Sequence, residues 1–100
     1  MDIYYLKEHM CEEFDGAKDY LKQALNLREV NAEWSKNFYD MGKVESDHAM
    51  NLYRMLNQHY RELDSDPNLS EYMRPFKDEI DDSYMEKSGA VRAMMETYTR

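Results

Sequence analysis

Two long stretches of the chain place residues at alternating steps of three and four, the spacing that lines up side chains on one face of an α-helix. The first stripe reads Leu6, Met10, Glu13, Ala17, Tyr20, Ala24, Leu27 and the second Phe38, Met41, Glu45, His48, Leu52, Met55, His59. Both are sustained heptad patterns. Asp2 suits the N-cap of a first helix predicted to run to about Arg28 or Glu29. Asn31 suits the N-cap of a second, predicted over Ala32 to Leu63. Asp64-Ser65-Asp66-Pro67-Asn68 is turn-rich, and Asp66 with Pro67 at the first helical position opens a third segment. There the apolar positions are Phe76, Ile80, Tyr84, Val91, Met94, Met95 and Tyr98, a stripe interrupted by Lys87 and Ser88 and weakened by Gly89. Pro75 is expected to kink or restart this segment, because proline lacks an N–H donor and restricts Arg74. The expected fold is all-α: a long antiparallel helical hairpin over residues 2–63 and a kinked C-terminal helical arm over 67–98, in one domain spanning 1–100. Three glycines and two prolines in 100 residues agree with it.

Three positions of these stripes are polar in a way that demands an explanation. Glu13, Glu45 and His48 stand where apolar residues belong, and burying an unpaired carboxylate costs several kcal/mol. Register selects Glu13 over the adjacent Glu12, which falls off the stripe. If the hairpin turns near residues 30 to 31, Glu13 lies about 26 Å from the turn, and Glu45 and His48 lie about 21 to 26 Å from it on the other helix. The three therefore meet at one height. Tyr20 stands two turns nearer the loop, and Gly16 sits beside the stripe where a small residue suits close helix contact. A Glu-x-x-His pair facing into a helical bundle is a known way of holding two metal ions. By chance alone about 0.3 such pairs are expected here, so the motif gains its weight from register and from the glutamate opposite. The plainer alternative is that Glu13 and Glu45 pair with lysine or arginine at a bundle edge.

Glu13, Tyr20 seven residues later, and Glu45-x-x-His48-Ala49 resemble the ferritin-like superfamily over about residues 5–60, in the form of rubrerythrin-like and encapsulated-ferritin-like proteins. The resemblance implies that Glu13 and His48 are terminal ligands to one iron, that Glu45 bridges two irons, and that Tyr20 hydrogen-bonds a ligand carboxylate. It implies a di-iron cofactor, with manganese or another divalent metal as the alternative. A full ferritin-like bundle has two such hairpins, and this chain has one. Its third segment offers Glu71, Glu79, Glu86 and Glu96 without a histidine. The expected assembly is therefore a homodimer, or a higher even-numbered oligomer, in which two hairpins form a ferritin-like four-helix bundle around a shared site. Encapsulated relatives add a shell protein as a further partner. The implied function is Fe(II) binding and oxidation, a ferroxidase activity. Two other readings stand beside it: a non-catalytic helical interaction protein on the same scaffold, and a rubrerythrin-like peroxide reductase drawing on an external electron donor.

Charge and cysteine content narrow the setting. A net charge of −8 and a pI near 4.8 argue against nucleic acid and anionic membranes as partners. The single cysteine, Cys11, excludes an intrachain disulfide and a Cys-x-x-Cys motif, and it reads as a packing residue. No apolar run approaches the roughly 18 residues of a membrane span, and the N-terminus lacks the pattern of a signal peptide. A reducing, cytoplasmic location is expected. His9, one turn before Glu13, is either an additional metal ligand or a surface-flanking histidine, the latter being the plainer reading. His59 lies on the second stripe about 16 Å from His48, too far to share its metal.

Overall fold

Each helix begins where a short polar side chain can satisfy an orphan backbone N–H. In the computed structural model, which describes residues 2–100 except for the side chains at 69, 70 and 72, α1 spans Ile3–Leu27, α2 Ala32–Asp64 and α3 Pro67–Thr99. Asp2 accepts from the Tyr4 N–H at 2.9 Å, Asn31 from that of Trp34 at 3.1 Å and Asp66 from that of Asn68 at 2.9 Å. The expected all-α class holds, with no strand among the described residues. Pro75 does not restart the third segment: α3 continues through it as one helix. A proline removes one backbone hydrogen bond, and the loss is tolerated where packing on both sides, here at Met73 and Ile80, holds the turns in place. No helix among the described residues is long and apolar enough to cross a membrane.

The helices pack up, down and up. The α1–α2 hairpin is antiparallel, with the Ser35 hydroxyl donating to the Ala24 carbonyl near its tip and Gly42 against Ala17 and Leu21 further along. The Arg28 N–H has already turned to Leu25, so this serine satisfies a carbonyl that the end of α1 leaves without its usual partner. α3 returns parallel to α1. The Lys7–Glu79 and Asp15–Lys87 ion pairs, at 2.6 and 2.7 Å, are both 72 residues apart, and Tyr4 meets Phe76 while Phe14 meets Tyr84. Against α2 it is antiparallel, through Tyr53 stacked on Tyr84 and Tyr39 stacked on Tyr98. Tyr53 also donates to Asp81, which accepts from Lys77 as well. Lys87 accounts for the gap in the third stripe: it is half-buried, and its ammonium reaches Asp15 on α1.

The bundle measures 57 × 21 × 15 Å and has a radius of gyration of 16.2 Å. A compact fold of this length would have about 13 Å. The protein is a flat rod with a high surface-to-core ratio.

The core also corrects the expected registers. Along α1, Leu6, Met10, Ala17 and Ala24 are buried as expected; Phe14 is buried too, against Tyr84 of α3, and Leu21 is buried beside Gly42 of α2. Along α2 the buried seam is the row one residue later than expected: Gly42, Ser46, Ala49, Leu56 and Tyr60, with Tyr39 and Tyr53 half-buried. The expected row lies at its border, with Met41 and Met55 42% and 43% exposed. α2 turns its smallest residues to α1, so the backbones approach closely there. Gly16 is not the tight point: a Cβ there would lie 3.5 Å from Glu45 Oε2, an ordinary contact, whereas one on Gly42 would come within 2.9 Å of Leu21 Cγ.

Candidate metal centre

Glu13 on α1 and Glu45 and His48 on α2 come together as the hairpin geometry requires, each offering one ligand atom within 4.8 Å of the others. They sit at the border of the α1–α2 seam rather than inside it, which corrects the expectation of a fully buried site. The Glu13 side chain is 19% exposed and that of His48 54% exposed. The groups that act on Glu13 and Glu45 all belong to α1 and α2, and His48 is the most exposed of the three.

The two oxygens of Glu13 differ. Oε1 lies 3.0 Å from His9 Nε2. Oε2 is buried and has no hydrogen-bond donor, with His48 Nδ1 3.8 Å away. A proton on Glu45 would give that oxygen a partner, and this is what separates the two carboxyls. Sharing a hydrogen bond with Glu45 pulls Glu13 below the ordinary range, against the effect of burial, with help from His9. The same bond, burial and the neighbouring negative charge push Glu45 up. Two carboxylates forced together with an orphaned oxygen between them form a site deficient in positive charge.

The donor set suits a divalent cation. Carboxylate oxygens and a neutral imidazole nitrogen are ligands for iron, manganese and zinc. Donors held about 2.1 Å from one ion lie about 3 to 4 Å apart, and the 3.8 Å between His48 Nδ1 and Glu13 Oε2 falls in that range.

The sequence profile of the Rubrerythrin family matches residues 5–99. The chain belongs to the rubrerythrin family. The match takes in all three helices, including α3, which the hairpin motifs alone do not cover. No curated protein and no solved structure is significantly similar to this rubrerythrin-family chain. Rubrerythrin-family proteins are ferritin-like, and the long antiparallel hairpin of α1 and α2 agrees with that superfamily.

The remaining candidates fall outside the cluster. Tyr20 packs beside Phe38 with ring centroids 6.2 Å apart, and it makes no hydrogen bond to Glu13 or Glu45 among the described residues. His59 faces Glu62, one turn on, at 3.7 Å. Cys11 is half-buried near Lys87, and burial pushes its thiol up, away from reactive thiolate chemistry. A cleft of about 490 Å³, lined by Arg54, Asn57, Gln58, Arg61 and Lys77, shares no residue with the Glu13, Glu45 and His48 group. What the stripes understated is His9. Its spacing of four from Glu13 was the available signal, because that step puts two helical side chains in contact.

Proposed function

We propose that this protein binds a pair of iron ions between two copies of itself and oxidises Fe(II) there. The observation that carries the reading is Glu13 Oε2, a buried carboxylate oxygen without a donor, facing a second carboxylate and an imidazole. A cation is the simplest partner for such an oxygen. Glu13 and Glu45 would supply the negative charge that neutralises the metal, and His48 a nitrogen donor, all three projecting from long helices that fix their spacing. A bound iron pair supplies the electrons, one from each Fe(II), with oxygen or peroxide as acceptor.

One hairpin gives three ligands, which is half of a ferritin-like set. The second half would come from a two-fold partner docking against this group, bringing its own Glu13, Glu45 and His48. Supporting this, Met41 and Met55 share the α2 face of Glu45 and His48 and are exposed, as is Tyr5, whose ring lies against His9. Large apolar side chains around a half-set of ligands suit burial by a second copy.

Native mass measurement with metal analysis on one iron-reconstituted sample tests the assembly, with one metal pair per two chains as the expected result. Fe(II) added without oxygen and then exposed to air should give ferric absorbance faster than buffer alone. A metal-free monomer, together with oxidation at the buffer rate, would overturn the proposal. Sustained turnover of peroxide with a reductant, in place of a single round of iron oxidation, would move the activity to peroxide reduction.

A further inference from the structure

We propose that His9 is a positioning residue, which holds Oε1 of Glu13 so that Oε2 alone is presented to a metal; this rests on the metal-binding reading above. His9 precedes Glu13 by one helical turn, and its Nε2 is 3.0 Å from Oε1. Oε1 is an acceptor, so the Nε2 hydrogen donates to it. The other oxygen is buried, has no donor, and faces Glu45 and His48. One carboxylate is thus divided between two tasks.

Three further features fit this role. The Tyr5 ring, one turn earlier still, lies against the His9 ring with centroids 5.7 Å apart and limits its swing. His9 is 37% exposed at the side chain, nearly twice as exposed as Glu13, so it stands outside the ligand atom it supports. It also lies outside the three residues whose ligand atoms converge. A free glutamate side chain loses rotamer freedom when it ligates a metal. Glu13 has largely lost that freedom already, so less is lost on binding. Occupying Oε1 also favours ligation through one oxygen over a chelate through both, since the second lone pair set is engaged. Outer hydrogen bonds of this kind orient metal ligands, and removing one typically weakens metal affinity about 10- to 100-fold.

The test is Co(II) titration of the full chain and of two variants, His9→Ala and His9→Gln, each checked for unchanged helicity. Gln retains an N–H donor able to reach Oε1. His9→Ala should bind Co(II) about 10- to 100-fold more weakly, and His9→Gln should recover most of the loss. The visible bands of bound Co(II) should keep their positions in both, because the donor atoms on the metal do not change. Equal affinity in wild type and His9→Ala would overturn the proposal while leaving the metal site intact. Weakened binding in both variants with shifted bands would overturn it in another way, by making His9 a ligand. If wild type binds no Co(II), the metal-binding reading itself fails and this role falls with it.

Discussion

Replacing Gly42 by alanine tests the close approach that brings the two halves of the hairpin, and their ligand atoms, together. A Cβ on Gly42 would lie 2.9 Å from Leu21 Cγ, 3.0 Å from Leu21 Cδ2 and 3.3 Å from the Ala17 carbonyl oxygen. Comfortable carbon–carbon contact is about 3.5 to 4.0 Å, so Leu21 must leave its position and the α1 backbone must give way. Overpacking of this kind costs about 1–3 kcal/mol. Alanine recovers about 1 kcal/mol of helix propensity, leaving a net loss of about 1 kcal/mol. Gly89 is the internal control, because a Cβ there meets nothing within 4 Å. Gly89→Ala should therefore stabilise by about 1 kcal/mol. In thermal denaturation at one fixed protein concentration, the two variants should move the midpoint in opposite directions, by roughly 4–8 °C each. Gly42 is one turn from Glu45, so Gly42→Ala should also weaken divalent metal binding, and Gly89→Ala should not. A Gly42→Ala protein that melts above wild type, as Gly89→Ala does, would refute the tight α1–α2 contact.

Other residues give independent checks. Ser35→Ala leaves the Ala24 carbonyl buried without its donor and should cost about 1–3 kcal/mol in urea denaturation, with unchanged helix content. Glu13→Ala removes the orphaned oxygen and a like-charge neighbour, so it should leave metal-free stability equal or higher. The same variant should abolish the rise in melting temperature on adding Mn(II) or Co(II), which for wild type corresponds to about 2.7 kcal/mol at metal 100-fold above Kd; a retained rise would remove Glu13 from the site. Burial alone would raise the Asp81 carboxyl, but hydrogen bonds from Lys77 and Tyr53 outweigh it and hold the group below the ordinary aspartate range. The stability it contributes is therefore full at neutral pH and lost as pH falls through that lowered value. Asp81→Asn should melt lower than wild type at pH 7 and show a flatter acid limb; parallel curves from pH 7 to acid would refute it.

The cluster of Glu13, Glu45 and His48 was legible because a helical hairpin turns sequence distance into height. The turn at residues 28–31 puts Glu13 level with Glu45 and His48, and that relation needs only 1.5 Å per residue on each arm. The register of α2 was less legible. Its buried row holds Gly42, Ser46 and Ala49, residues that carry little hydrophobic signal but permit backbone approach, whereas Met41, Met55 and Leu52 in the neighbouring row dominate any apolar count. Phe14 was invisible to a two-helix argument because its partner Tyr84 is on α3, and Leu21 because it packs beside Gly42, which adds nothing to an apolar stripe. The Tyr53–Asp81–Lys77 network joins two helices, and only the return path of α3 reveals it. His9 was visible as a spacing, but its hold on one specific oxygen depends on rotamers.

The unequal spacing of the three helices has a dynamic consequence. The α1 and α2 backbones run close to each other over more of their length than either does to α3, so α3 is expected to be the weakest-held unit and to open first, as a cooperative local unfolding event below the free energy of global unfolding. Its amides would exchange with solvent earlier than those around Ala17, Gly42 and Ala49. Such an opening breaks the stacks at Tyr84 and Tyr98 but leaves Glu13, Glu45 and His48 in register, since all three belong to the hairpin. The three side chains are thus carried by the part of the chain expected to come apart last, and α3 can exchange neighbours without disturbing them.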